Sequence, residues 1–135
     1  MSRSVPKNPG GFSLLEMMAV VTFILLLASF GMPSFMTIVT RAHEAVLRED
    51  LFTLRSQIDR FTHDNERGPA SLDEMVEKGY MGNIPIDPFT GSNQTWQEVT
   101  QDAPLTADSS APLGVVDVHS GSDNVSLEGT AYSSW

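Results

Sequence analysis

One carboxylate stands out by its surroundings. Glu16 lies four residues after Phe12 and directly before Met17 to Thr40, a run of 24 residues without a charged side chain. An acid in a membrane helix costs about 2.5–3.5 kcal/mol at the centre on insertion scales, and less toward the edge. A group kept at that cost needs a cationic partner. The residues just ahead, Gly10-Gly11-Phe12-Ser13-Leu14-Leu15, point to one. A cut after Gly11 would give Phe12 a new ammonium group, the natural counter-ion for Glu16. Within one subunit the two would share a helical turn. Between subunits the same pair would set the register of one helix against the next.

Other chemistry finds little support. The chain has no cysteine, which removes disulfide frameworks, thiolate zinc sites and cysteine nucleophiles together. No two of His43, His63 and His119 share metal-ligand spacing. Asp117, His119 and Ser120 have the residue types of a hydrolytic triad, but neighbours on one strand cannot converge on a common substrate atom. No glycine-rich phosphate loop is present. Asn93-Gln94-Thr95 and Asn124-Val125-Ser126 fit a glycosylation triplet that arises often by chance. The net charge of −9 argues against nucleic acid, which demands a basic face.

The elements that must position Glu16 follow from charge and periodicity. With 135 residues there is room for one domain and little else. Residues 1–11 are polar and carry Arg3 and Lys7 without an acid. The uncharged run after Glu16 is long enough to span a bilayer, which takes roughly 20 apolar residues. The cationic segment ahead of it predicts an N-terminus held in the cytoplasm and an exported remainder. Beyond Thr40 the run passes into an amphipathic pattern, with Leu47, Leu51, Leu54, Ile58 and Phe61 forming one helical stripe. Arg48, Glu49, Arg55, Asp59 and Arg60 fall off the stripe and are expected to face water. A single helix is therefore predicted from about Phe12 to Phe61, with a kink or softened stretch at Gly31 and Pro33 and stop signals at Asp64, Asn65, Gly68 and Pro69.

Ser71 and Glu74 have capping-box spacing ahead of a short helix carrying Leu72, Met75 and Val76, with Gly79 as its stop. Pro85, Pro88 and Gly91 make residues 82–93 a loop. Residues 95–100, 114–119 and 132–135 are the strand candidates. So few large apolar groups make a thin core, which the Leu47 to Phe61 stripe would complete.

The Gly-Phe-Ser-Leu-Leu-Glu junction at residues 11–16 resembles the processing motif of type IV pilins and type II secretion pseudopilins. That resemblance implies cleavage between Gly11 and Phe12 by a prepilin peptidase, N-methylation of Phe12, and an assembly role for Glu16. Pro33, twenty-one residues after Phe12, matches the family's helix. Asp64-Asn65, Gly68-Pro69, Leu72, Gly79-Tyr80, Ile84-Pro85, Asp87-Pro88-Phe89-Thr90-Gly91 and Trp96 resemble the G-type major pseudopilins. So do Asp117 to Asp123 and Gly129-Thr130 to Trp135, so that the similarity runs over nearly all of the chain after Gly11. Family members often hold calcium in the C-terminal loop. Asp123 stands where one ligand would fall, with Asp117 and Glu128 as nearby donors. The paired acids usual before the final tryptophan are replaced by Ala131, Tyr132, Ser133 and Ser134.

The expected fold is α+β and pilin-like. A long N-terminal helix, transmembrane in its apolar half, packs its amphipathic half on a small antiparallel sheet of about three strands. Residues 1–11 would be a cleaved leader, 12–40 the transmembrane and filament-core helix, and 41–135 a periplasmic head. The implied role is structural, not enzymatic: a subunit of a periplasmic pseudopilus, held in the inner membrane until assembly. Its implied partners are other copies and other pseudopilins, an inner-membrane platform with its ATPase, and an outer-membrane secretin. A type IV pilin and a singly anchored periplasmic binding domain remain the alternatives. N-terminal sequencing of the mature protein is expected to begin at Phe12; a start near Gly31 would instead mark an ordinary cleaved signal.

Overall fold

The computed structural model describes residues 10–102 and 113–135, apart from the side chains of Met32 and Pro33. Arg3 and Lys7 of the expected leader lie outside the described residues. Helix α1 spans Leu14–Asn65, α2 spans Leu72–Glu77, and strands β1 (Gln97–Thr100) and β2 (Val115–His119) precede a closing 3₁₀ turn at Tyr132–Ser134. The chain divides into two units, Met1–Ile38 and Val39–Trp135. In the first, α1 continues through Gly31 and Pro33 without a break in its assignment.

In the second unit the stripe read from the sequence is the core. Leu47, Leu51, Leu54, Ile58 and Phe61 are all buried, together with Leu72, Met75, Trp96, Val115, Val118 and Tyr132. Helix α1 ends one turn beyond Phe61. The Asn65 side-chain amide donates to the Phe61 carbonyl at 2.9 Å, and Glu66 takes φ +55, a left-handed conformation that cannot propagate the helix. Pro69 then accepts from the Val115 amide at 2.7 Å, tying this corner to β2. The close passage requires Gly68, where an added Cβ would meet the Val115 carbonyl oxygen at 2.7 Å. A glycine read as a stop signal is thus also a packing residue.

Helix α2 ends as expected. Gly79 has φ +78, its amide reaches the Val76 carbonyl, and the Tyr80 amide reaches Met75, the pattern of a Schellman cap. Its start differs from the capping box expected at Ser71. The Ser71 side chain makes no capping bond. Glu98 from β1 accepts from the Leu72 amide at 2.9 Å, while Glu74 accepts from the Ala70 amide at 2.7 Å and from Arg67 at 2.5 Å. A carboxylate supplied from another element caps the first turn more effectively than the local hydroxyl.

The sheet has two strands, β1 antiparallel to β2, with Gln97 opposite His119 and a register shift between Val99 and Thr100. Residues 82–93 form no helix or strand, as expected. Their turn is built on wholly buried Asp87, whose carboxylate accepts from the Phe89 amide at 2.9 Å and the Ser120 hydroxyl at 2.6 Å. The third expected strand, residues 132–135, is instead the 3₁₀ turn. Val125 and Ala131 form a single bridge, after which Ser134 bonds back to the Ala131 carbonyl through both its amide and its hydroxyl. Local serine bonding of this kind competes with a ladder. The turn also brings Tyr132 into the core, stacked on Phe89 with ring centroids 3.8 Å apart.

The hydrogen bond from Arg67, opposed by partial burial and helped by the Ala70 amide and nearby positive charge, holds the Glu74 carboxyl at about 2, below its ordinary 4.5. Its stabilisation is complete above the ordinary value and disappears as pH falls toward 2. The Glu74→Gln variant is expected to lose about 1–3 kcal/mol at pH 7. Its stability should also vary less between pH 5 and pH 2, as denaturant melts across that range would record.

Candidate functional site

In the first unit, Ser13 is the N-cap of α1. Its side-chain oxygen accepts from the Glu16 amide at 3.3 Å and its carbonyl from the Met17 amide at 3.1 Å. The capping spacing Ser13-Leu14-Leu15-Glu16 makes this legible in the sequence, and it places Glu16 at the third helical position. Acidic charge in the first turn is favoured by the helix dipole, so the backbone itself presents the Glu16 carboxylate at the head of the helix. Gly11 and Phe12 precede the helix, and Phe12 is 77% exposed.

The apolar surface on either side of Glu16 is uncovered. Leu14, Leu15, Leu27 and Phe30 are each more than 70% exposed. One stretch of α1 is long and apolar enough to cross a membrane, with a mean hydropathy of 2.2, and none of it is buried. Contiguous exposure of this kind marks a surface made for lipid or for protein. The polar side chains within it look after themselves: the Thr22 and Ser29 hydroxyls donate to the carbonyls of Met18 and Leu25, each at 2.8 Å. The Glu16 carboxylate has no hydrogen bond or ion pair among the described residues.

In the second unit, two charged residues of α1 fasten the C-terminal segment. Glu44, 4% exposed, accepts from the Leu127 amide at 2.8 Å and from the Tyr132 hydroxyl at 2.9 Å. Burial first, and then the bond and charge of Glu44, push the Tyr132 hydroxyl up to about 12. Arg55, expected to face water, is half-buried. Its guanidinium donates to Asp117 Oδ1 at 2.7 Å, to the Val118 carbonyl at 3.0 Å and to the Trp135 main-chain oxygen at 2.8 Å. Burial alone would raise the Asp117 carboxyl. The Val118 amide, Arg55 and His119 outweigh it and hold the group below the usual carboxylate range. No sequence signal marks either fastening, because each partner lies more than 60 residues away.

These bonds bear on the expected calcium site. Asp117 is committed to Arg55, Glu128 lies 3.6 Å from Arg48, and Asp123 is exposed. Among the described residues no group of three or more His, Asp or Glu side chains is placed to hold a metal ion. The structure therefore does not bring Asp117, Asp123 and Glu128 together as one group of acids, whereas calcium draws six to eight oxygens from carboxylates, backbone carbonyls and water. Of the triad types, His119 Nε2 lies 3.7 Å from Asp117 Oδ2, but Ser120 does not join them. Ser120 is wholly buried and donates to Asp87, whereas His119 Nδ1 lies 2.5 Å from the Trp135 main-chain oxygen.

A long N-terminal helix with an apolar, uncovered first part, joined to a small antiparallel sheet, defines an α+β pilin-like protein. The sequence is similar to the type II secretion system core protein G of several bacteria. Against the Klebsiella michiganensis protein it is 30% identical over 100 residues, covering 62% of this chain and 70% of that one. Against the Dickeya chrysanthemi protein it is 31% identical over 100 residues, covering 62% and 65%. Against the Aeromonas hydrophila protein it is 29% identical over 99 residues, covering 62% and 69%. The chain belongs to the type II secretion system core protein G family, the G-type pseudopilins. The aligned share is smaller than the near-complete extent expected from the ordered motifs. No protein-family model matches the sequence, and no solved structure matches it.

Replacing Arg55 with leucine removes three bonds and strands the Val118 and Trp135 oxygens. A loss of about 1–2 kcal/mol is expected, moderated by the solvent around the Arg55–Asp117 pair. Arg55→Lys keeps the charge but not the fork and should recover less than half of it. Chemical denaturation of the three proteins measures both effects.

Proposed function

We propose that this chain is a structural subunit of a pseudopilus, a filament that drives protein export through the type II secretion system. The observation that carries the reading is the Glu16 carboxylate at the head of an uncovered apolar helix, directly behind the Gly11-Phe12 junction. A prepilin peptidase would cut between Gly11 and Phe12, and N-methylation would leave Phe12 with a secondary amine that is protonated near neutral pH. Before assembly α1 would span the inner membrane, with its N-terminus cytoplasmic and residues 41–135 in the periplasm. Pro33, which removes one backbone hydrogen bond, would give the span a place to adjust.

Between membrane helices, burial of leucine supplies no net drive, because lipid is equally apolar. Packing and polar pairing have to do the work. The Phe12 ammonium of one subunit and Glu16 of the next would be the one strongly directional contact. A head-to-tail contact that does not close produces a helical filament. An inner-membrane platform and its ATPase would add subunits, and the growing filament would push cargo toward an outer-membrane secretin. Membership in the core protein G family favours this system over a type IV pilus.

The full chain carrying Glu16→Leu, expressed with its secretion partners, tests the reading. Insertion and a mature start at Phe12 are expected to persist, while filament yield falls by at least roughly tenfold. Cross-linking and electron microscopy of sheared filaments would count them. Filaments at wild-type yield would remove the electrostatic basis of the proposal.

A further inference from the structure

The second unit contains a cavity whose chemistry the filament reading does not use. It is an open cleft of about 400 Å³ lined by Arg41, Glu44, Arg48, Leu127 and Glu128, within the size range of small-ligand pockets. Arg41, Glu44 and Arg48 follow one another at positions 41, 44 and 48 of α1, the spacing of a single helical face. The C-terminal segment forms the opposite wall, held there by the hydrogen bond that the Leu127 backbone N–H donates to Glu44.

Two cations and two anions face this space, so its formal charge is zero. The charges are nevertheless separated by position and by commitment. Both hydrogen bonds to Glu44 fall on Oε1, leaving Oε2 as its remaining acceptor. The Arg48 guanidinium lies 4.4 Å from the centroid of the Trp135 ring and 3.6 Å from Glu128, which pre-orients it without exhausting its donors. Arg41 has no ion pair among the described residues. Paired arginines are suited to a phosphate. Carboxylates with free oxygens beside them are suited to a primary ammonium. A ligand carrying both charges a few bonds apart matches the cavity better than a simple anion or cation.

Position decides which such ligand. Arg41 is the first charged residue after the 24 uncharged residues from Met17 to Thr40. Glu44 and Arg48 stand only about 4.5 and 10.5 Å further along the helix axis, at 1.5 Å per residue. An arginine at the end of a membrane span extends to the level of the lipid phosphates.

We infer that Arg41, Arg48, Glu44 and Glu128 form a binding site for the headgroup of a zwitterionic aminophospholipid, phosphatidylethanolamine. The phosphate sits between Arg41 and Arg48, and the ammonium donates to Glu128 and Glu44. The inference rests on reading α1 as a membrane span. It gives the subunit a headgroup contact that fixes its depth while it waits in the bilayer. The lipid would have to leave when neighbouring subunits replace the membrane around α1.

The test is native mass spectrometry of the full chain extracted in mild detergent with equal amounts of phosphatidylethanolamine, phosphatidylcholine and phosphatidylglycerol. Phosphatidylcholine keeps both charges but has no N–H donor for the carboxylates, and phosphatidylglycerol keeps only the phosphate charge. Wild-type protein is expected to retain phosphatidylethanolamine roughly fivefold over each of the others. Arg41→Gln and Glu128→Gln, both at exposed positions outside the core, should each bring that ratio close to one. Glycerophosphoethanolamine, the same headgroup without acyl chains, should fail to displace the lipid at equal concentration.

Equal retention of the three lipids, an unchanged preference in both variants, or a preference for phosphatidylglycerol would overturn the inference. So would displacement by the chain-free headgroup, or occupation of the cavity by a second copy, seen as cross-links through Arg41 in place of bound lipid. Carbonate extraction of cells expressing the same chain separates the two readings. Release from membranes would overturn both the membrane span and the lipid site, whereas firm insertion without lipid preference would overturn the lipid site alone.

Discussion

A carboxylate without a partner among the described residues, at the head of an exposed apolar helix, is the constraint on which the filament reading depends. Solvation by water is the cheapest state for an ionised acid, and a hydrocarbon environment removes it. The threonine and serine hydroxyls further along the helix avoid that penalty by donating to carbonyls one turn back. A carboxylate cannot do so, because it has no proton to donate to those carbonyls. Ser13 and the first-turn amides orient Glu16 without neutralising it. In the filament reading, a cation on the next subunit supplies what the helix cannot, and the contact acquires a direction that leucine packing lacks.

The second unit solves a related problem by other means. Its core is small, and most of its apolar side chains come from one stripe of α1 and a few residues of α2, β2 and the 3₁₀ turn. The long connections between these elements leave the C-terminal segment with little area to hold it. Charged side chains of α1 therefore supply fixed attachment points. Glu44 takes an amide and a phenol, and Arg55 takes a carboxylate and two main-chain oxygens. Truncating either would leave buried or half-buried polar groups unpaired, and this asymmetry is what gives such bonds their structural weight. Asp87 organises the loop between α2 and β1 in the same manner, through a local amide and a distant serine. Asp50 on α1 responds to its own partial burial first, and then to repulsion from Asp87 and Glu49, which together push its carboxyl above the ordinary value.

What the sequence made legible divides along the same line. The stripe from Leu47 to Phe61 and the Gly79 stop depend on spacing within one element, and both stand in the structure as read. Ser13 was within reach of the same reasoning, since its distance from Glu16 is that of a capping pair. Arg55 was misread because a charged residue off an apolar stripe ordinarily points to water, and nothing local reports Asp117, Val118 or Trp135 arriving 62 to 80 residues later. Residues 132–135 were misread as a strand because an aromatic among serines fits a half-buried edge. Tertiary contacts decided otherwise: Tyr132 gains Glu44 and the Phe89 ring by turning inward. The acids expected at a calcium site were identified by type and order alone, and type cannot reveal that Asp117 already has an arginine.

The separation between the two units also bears on how assembly and folding can be told apart. Every residue of the buried core lies between Leu47 and Tyr132, within the unit Val39–Trp135. Glu16 belongs to the other unit, Met1–Ile38. Its removal leaves α1 with an intact cap hydroxyl at Ser13 and leaves Glu44 and Arg55 with all their partners. In the filament reading, a change at Glu16 would therefore alter the contact offered to a neighbouring subunit and leave the bonds of Glu44 and Arg55 in place. Changes at Glu44 or Arg55 do the reverse. One helix carries both kinds of charge, and they remain separable because Glu44 and Arg55 bond to the C-terminal segment, whereas Glu16 has no partner among the described residues.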